Sequence, residues 1–314
     1  MAFGEKVKMK SLLKKHKINS AGICKIEDYK IKGIFNENQL FQAGSISKCL
    51  TALCVIKLVQ KGKLNFLEDV NNYLKNWKIK DSKGQEIKTT LKELLSHTGG
   101  ISCSGFMGHK KGKQMPSIIQ ILNGQKPANS ERIYKKYGRG KYHYSGGGYI
   151  IIQKVLEDVL GNNFNSIMEK EIFKPLNMQN STFKIPRIKI QGHRNKRKVG
   201  NNIYSEKAPA GLWTTAQDLS KFIREIQLGY SGKSKFISQK LIKQMLKPVI
   251  KAEGNFIALG FFIMKDKKRF YHTGFNVGYR SKFIADFKGN GIVILTNEEN
   301  SKRFIGTVIQ RDIE

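Results

Sequence analysis

Phe41-Gln-Ala-Gly-Ser45-Ile-Ser-Lys48 runs directly into Cys49-Leu-Thr-Ala-Leu-Cys-Val-Ile-Lys-Leu-Val59. The second part is apolar at nearly every position, so it predicts a helix from about Ser45 to Gln60 that is buried on most of its sides. Gly62 is placed to end it. A serine and a lysine three residues apart at the start of such a helix share a face. A serine hydroxyl is a poor nucleophile until a base takes its proton. A lysine amine removed from water gives up its charge more readily and becomes such a base. The helix N-terminus adds free N–H groups and the positive end of the dipole, both suited to an oxyanion. Ser45 is therefore the candidate nucleophile and Lys48 its candidate base. Taken alone, Ser-x-x-Lys arises by chance in a lysine-rich chain, and Ser45 reads equally well as a plain N-cap.

Working outward, residues 5–17 predict a basic amphipathic helix, and 20–34 a β-hairpin around Glu27-Asp28. Capping boxes at Thr90-Leu-Lys-Glu93 and Thr215-Ala-Gln-Asp218 open two helices, the second running Leu219 to Leu228 and closed by Gly229. Another helix spans Tyr149 to Leu160, closed by Gly161. The stretches 103–140 and 181–210 are polar and rich in Gly and Lys, and read as loops. Towards the end the pattern changes to strands at 256–264, 268–273, 279–286 and 291–296, joined most simply as an antiparallel meander. A last helix covers about 301–311. The expected fold is α+β: an antiparallel sheet built from both chain termini and flanked by helices, with an inserted mainly helical domain. The sheet part takes in about 1–44 and 245–314, the helical part about 45–244, and a cleft separates them.

Two further segments carry chemistry. Tyr142-His-Tyr144-Ser145-Gly146-Gly147-Gly148-Tyr149 puts a phenol just before a glycine-rich turn, where it can project into a cleft and relay a proton. The alternative is an aromatic core cluster. His272-Thr273-Gly274-Phe275 closes a strand with small residues, which lets a ligand lie along the strand edge and be held by backbone N–H groups. The alternative there is an ordinary strand-end turn.

The chain has 314 residues, 39% hydrophobic and 10% aromatic, enough for a sizeable core. No apolar run reaches the roughly 18 residues of a transmembrane helix. The N-terminal residues lack the apolar core of a signal peptide, so the expected compartment is the cytoplasm. The cysteines, Cys24, Cys49, Cys54 and Cys103, form no C-x-x-C pair and no zinc spacing, and read as reduced thiols. The formal net charge is +33. It is spread along the chain, with denser stretches at His109–Lys113 and His193–Lys198, and no nucleic-acid-binding motif accompanies either. Lysine-rich coding bias on a solvated surface explains it more simply than nucleic-acid binding.

In this order and at these distances, the segments resemble the serine β-lactamase-like and penicillin-binding-protein superfamily, in its class C β-lactamase and DD-peptidase branch. The resemblance rests on Phe41 to Lys48, Leu94-Leu-Ser-His-Thr-Gly-Gly-Ile101, Tyr144-Ser-Gly-Gly-Gly-Tyr149, Ile172-Phe-Lys-Pro-Leu-Asn-Met178, Ala210-Gly-Leu-Trp-Thr-Thr-Ala-Gln-Asp-Leu219 and His272-Thr-Gly274. It implies a serine hydrolase that cleaves an ester or amide through an acyl-enzyme on Ser45, with no metal or cofactor. Lys48 and Tyr144 would share the proton work. The backbone N–H groups of Ser45 and Phe275 would form the oxyanion hole, Gly146, His272, Thr273 and Gly274 would line the substrate, and His272 and Thr273 would bind a substrate carboxylate or tune Tyr144. The resemblance makes His97 structural, and Asp218 reads better as a capping residue than as a triad acid. Two positions depart from the pattern. Gly146 stands where the superfamily usually has an Asn that binds a substrate amide, and His272 replaces the commoner Lys. Gly146 motivates a second hypothesis, a sensor or binder with little catalysis. The charge motivates a third, a basic anion- or nucleic-acid-binding protein.

Overall fold

The structure, a computed structural model, describes residues 3–187 and 190–313. Met1 and Ala2, and Ile188 and Lys189 within the stretch read as a loop, lie outside the described residues. Helix α1 (Phe3–Lys15) leads into β1 (Ala21–Glu27) and β2 (Lys30–Phe35), whose turn residues Asp28 and Tyr29 take positive φ. The short β3 (Phe41–Gln42), a 3₁₀ turn at Gly44–Ile46 and α2 (Ser47–Gln60) follow. The middle of the chain forms α3 (Leu91–Leu95), α4 (Ile118–Asn123), α5 (Gly146–Leu160), α6 (Phe164–Met168), β4 (His193–Arg194), β5 (Arg197–Lys198), α7 (Lys207–Ala210), β6 (Trp213–Thr214), α8 (Ala216–Tyr230) and α9 (Gln239–Leu246). Strands β7 (Ile250–Ala252), β8 (Asn255–Ile257), β9 (Phe262–Ile263), β10 (Arg269–Asn276), β11 (Tyr279–Asp286) and β12 (Gly291–Thr296) precede α10 (Lys302–Ile313).

The expected antiparallel sheet is present, and its order explains how both termini build it: β2-β1-β12-β11-β10-β9-β8-β7. The first long strand pairs with the last, Ile23 opposite Ile294 and Cys24 opposite Val293. Period-two alternation divides the side chains between two layers. Cys24, Ile26, Phe270, Phe283, Val293 and Leu295 join the large core under α2, α5 and α8. Ala21, Ile23, Ile284, Ile292 and Ile294 join a second core with Leu12 and Leu13 of α1 and Phe304 and Val308 of α10.

Several boundaries differ from the sequence reading, each for a packing reason. The α-helix begins at Ser47, and Ser45 sits in the 3₁₀ turn before it. Gly146, Gly147 and Gly148 are the first turn of α5, with Ser145 as N-cap accepting from Gly148 N–H. A Cβ at Gly147 would lie 2.4 Å from the Ser102 carbonyl oxygen, so the neighbouring loop demands the glycine. Helix α8 continues through Gly229 because α9 packs there, with Ile242 where a Cβ would stand, 2.7 Å away. The stretch 256–264 breaks into β8 and β9 at Gly260, which lies against Ala52 of α2. Within 103–140, α4 carries a capping box, Ser117 to Gln120, and a left-handed Gly124.

Ile23 is fully buried at the junction of the two termini. Ile23→Ala should cost about 2–5 kcal/mol. The check is a lower denaturant midpoint with an unchanged m-value.

Candidate active site

The site begins where a strand and a turn come closer than side chains allow. Gly44 adopts φ +53°, and a Cβ there would stand 2.6 Å from the Phe275 backbone nitrogen. On the other side, a Cβ at Gly274 would stand 1.9 Å from the Ala43 carbonyl oxygen. Two glycines thus let the backbone of β10 press against the turn that carries Ser45. Polar bonds hold this approach. Ser281 Oγ donates to the Ala43 carbonyl (2.8 Å), and Asn276 Nδ2 donates to Gln42 Oε1 (2.7 Å) and to the Ala210 carbonyl (3.1 Å). Ser47 Oγ donates to the Gly44 carbonyl (2.6 Å) and accepts from Leu212 N–H (3.0 Å).

Lys48 is the second residue of α2, one turn on from Ser45, and is only 2% exposed. Its Nζ lies 3.0 Å from Ser45 Oγ and donates to the Pro209 carbonyl of α7 at 2.8 Å. The rings of Tyr144 and Tyr149 flank it, with centroids 5.0 and 5.6 Å from Nζ. Burial pushes this amine down to about 7 from an ordinary 10.5, and among the described residues only Cys49 and Cys103 act against that. With no carboxylate among the described residues to hold its proton, the amine is neutral in a large share of molecules near pH 7 and stands in hydrogen-bonding reach of the hydroxyl.

Tyr144 reaches the same point from the residue before the α5 cap. Burial raises its phenol above the usual range, and the hydrogen bond with the Ser45 hydroxyl pulls the other way. It therefore keeps its proton at neutral pH. His97, with φ +59°, accepts from Ser145 N–H through Nδ1 at 3.0 Å, which leaves its proton on Nε2. Its ring lies 4.4 Å from that of Tyr144, and burial pushes it well below the ordinary histidine range. His97 thus fixes the loop end from which Tyr144 projects.

Along β10 the side chains alternate, and His272 faces inward. It is 2% exposed, its Nδ1 donates to the Thr273 carbonyl at 2.6 Å, and burial first and Lys48 second lower it to about 3. It carries no charge at neutral pH. Strand β9 pairs with β10 only at Phe270 and Tyr271, so beyond them this edge is open to a ligand. Thr273 and Phe275 are exposed. On the same face, Lys282 of β11 stands opposite Thr273 and Arg280 opposite Phe275. Lys282 is held below the ordinary lysine range by burial and has no carboxylate partner among the described residues.

The Beta-lactamase family model matches residues 8–311. The chain belongs to the beta-lactamase family. It is 25% identical over 270 residues to Protein flp of Staphylococcus aureus (strain N315), covering 82% of this chain and 52% of that protein. It is 27% identical over 282 residues to Teichoic acid D-alanine hydrolase of Staphylococcus aureus, covering 83% and 66%. The chain thus spans about half the length of the first of these relatives. The crystal structure of the penicillin binding protein from Bacillus halodurans shares the fold, with TM-score 0.77 at 16% identity over 96% of this chain and 98% of that one.

In this beta-lactamase-family chain Ser45, Lys48 and Tyr144 meet, and the Phe275 backbone lies beside the serine turn. Gly146 does not face open space: a Cβ there would stand 2.9 Å from Phe106 Cε2, so the ring of Phe106 occupies that position. Sequence reading missed Phe106, the Pro209 carbonyl and Lys282. Each depends on strand register or on a contact between distant loops. Gly274→Ala should destabilise the protein by about 1–3 kcal/mol or more, as overpacking does. It should also slow reaction of Ser45 with a serine-directed probe, because β10 must retreat from the turn. Thermal melting and timed intact-mass labelling check both.

Proposed function

We propose that this chain is a serine hydrolase that cleaves an ester or amide through an acyl-enzyme on Ser45. The observation that carries this is the 3.0 Å approach of a buried Lys48 amine, lowered by burial to about 7, to the Ser45 hydroxyl. Ser45 Oγ attacks the substrate carbonyl while its proton passes to the unprotonated Lys48 amine. The N–H groups of Ser45 and Phe275 receive the oxyanion. The leaving group departs with the phenol proton of Tyr144, which Lys48 replaces with the proton it took from Ser45. Water, deprotonated by the same pair, then attacks the acyl-serine ester, releasing the carboxylate and restoring the Ser45 hydroxyl. The name Teichoic acid D-alanine hydrolase, borne by one relative, supports an acyl ester or amide as substrate. Thr273 and Lys282 receive a carboxylate or other anionic group on that substrate, supplying the charge that a neutral His272 does not.

Ser45→Ala should reduce turnover of an activated ester by about 10³-fold or more. Unchanged hydrolysis, or no fluorophosphonate adduct at Ser45 in folded protein, overturns the assignment in favour of a non-catalytic binder. The acid limb gives a second test. Lys48 acts as base only when unprotonated, so kcat/KM for a neutral ester should rise with pH through an apparent pKa near 7 and level off above it. A flat profile between pH 5 and 8 counts against Lys48 as the base.

A further inference from the structure

Two buried titratable groups stand outside this machinery. Glu206 is 0% and His109 7% exposed, and Glu206 Oε1 lies 3.7 Å from His109 Nε2. By strict geometry neither carboxylate oxygen nor this ring nitrogen has a hydrogen-bond partner among the described residues, and the backbone N–H groups of Ser205 and Glu206 lie only near enough to offset part of the burial of the carboxyl. Burying such groups without partners is costly, and an apolar pair of similar size would be the more stable filling. What a polar pair adds is registration: it favours one relative placement of the two segments that carry it.

Those segments are the two walls that meet behind the site. His109 exchanges two backbone bonds with Ile203 (2.7 and 2.8 Å), and Asn202 Nδ2 donates to the Met107 carbonyl (2.7 Å). Glu206 immediately precedes α7, whose Pro209 carbonyl accepts from Lys48 Nζ. On the other side, the loop before His109 runs along the start of α5. Gly146 N–H donates to the Ser104 carbonyl and Gly147 N–H to the Cys103 carbonyl. Cys103 and Lys48 are close enough to act on each other's ionisation. This loop puts the half-buried ring of Phe106 where a side chain at position 146 would project, two residues after Tyr144. Met107, next along it, is 61% exposed, and Phe275, in the strand beside the serine turn, is 46% exposed.

We infer that Phe106 is a specificity-determining residue of this site, its ring receiving an apolar acyl group, and that the buried Glu206–His109 pair is the positioning device that holds its loop against α7. The inference rests on the serine-hydrolase reading above. A closure of about 0.5–1 Å brings Oε1 and Nε2 to hydrogen-bond distance. Burial raises the Glu206 carboxyl to about 7 and lowers the His109 imidazole, so a neutral acid facing a neutral ring is an accessible state of the pair.

The test compares p-nitrophenyl hexanoate with p-nitrophenyl acetate. The ratio of their kcat/KM values reports how well the extra methylenes are held. Phe106→Ala should lower that ratio about 10-fold or more, the scale expected for losing the burial of a few methylenes. Gly146→Ala, which pushes a methyl group into the ring, should lower it in the same direction. Glu206→Ala and His109→Ala should each lower it several-fold, Glu206→Gln should restore most of it, and Glu206→Ala added to Phe106→Ala should lower it no further. An unchanged ratio in Phe106→Ala and Gly146→Ala overturns the specificity role. A Glu206→Gln ratio as low as that of Glu206→Ala overturns the positioning role, and if Glu206→Ala does not fold, His109→Ala and Glu206→Gln decide it. Fluorophosphonate labelling of Ser45 in the unaltered protein is read in parallel. No adduct sinks the hydrolase reading itself, whereas an adduct with unchanged ratios sinks only this inference.

Discussion

A lysine amine kept out of water and within reach of a serine hydroxyl is the constraint around which the rest of this protein is arranged. Holding Lys48 near pKa 7 rather than 10.5 disfavours its charged form by about 5 kcal/mol at 1.36 kcal/mol per unit. Between those values the unfolded chain binds a proton that the folded chain does not, so this group weakens folding increasingly as the pH falls through the window. The surrounding core offsets that cost. Helix α2 is buried on nearly all sides, and the aromatic residues Tyr144 and Tyr149 close over the amine.

The same exclusion of water shapes the neighbours. His272 and His97 are both pushed towards neutrality by burial, and both feel the positive charge of Lys48 as a second cause. Two histidines beside a serine therefore contribute hydrogen bonds and shape rather than charge. Basic side chains are found further out, on Lys282 and Arg280, across the strand from Thr273 and Phe275. Part of the basic stretch at β4 and β5 is committed elsewhere: Arg194 pairs with Glu299 at 2.5 Å, and Asn195 and Lys196 N–H groups donate to Glu298.

Close approach is the second requirement. On the proposed mechanism a reacting carbonyl meets the serine and the backbone donors together, which requires the turn at Gly44 and the strand at Phe275 nearly to touch. Glycine at 44 and 274 permits this, and the bonds from Ser281, Asn276 and Ser47 hold it. The closed β1–β12 pairing supplies the rigid frame, since it fixes the strand meander relative to the segment leading into the serine turn.

Much of this was legible in the residues. Ser45 and Lys48 are local: three residues apart at the start of an apolar run, they face one way whatever the rest of the chain does. The α3 and α8 caps, the hairpin at Asp28 and the strands 279–286 and 291–296 follow from short-range chemistry in the same way. Gly146 was legible as a departure, but its consequence was not, because the ring that fills its space comes from Phe106, 40 positions earlier in the chain. Lys282 was invisible as a neighbour of Thr273, because register across two strands decides it. Glu206 and His109 carry no local signal at all. The sequence by itself determined which groups are candidates for nucleophile and base and which segments coil or extend, because those features depend on neighbours a few residues away. Only the tertiary structure decided how dry the lysine is, which charges stand opposite Thr273 and Phe275 and which ring lies beside Gly146, because burial and contact are set by segments far apart in the chain.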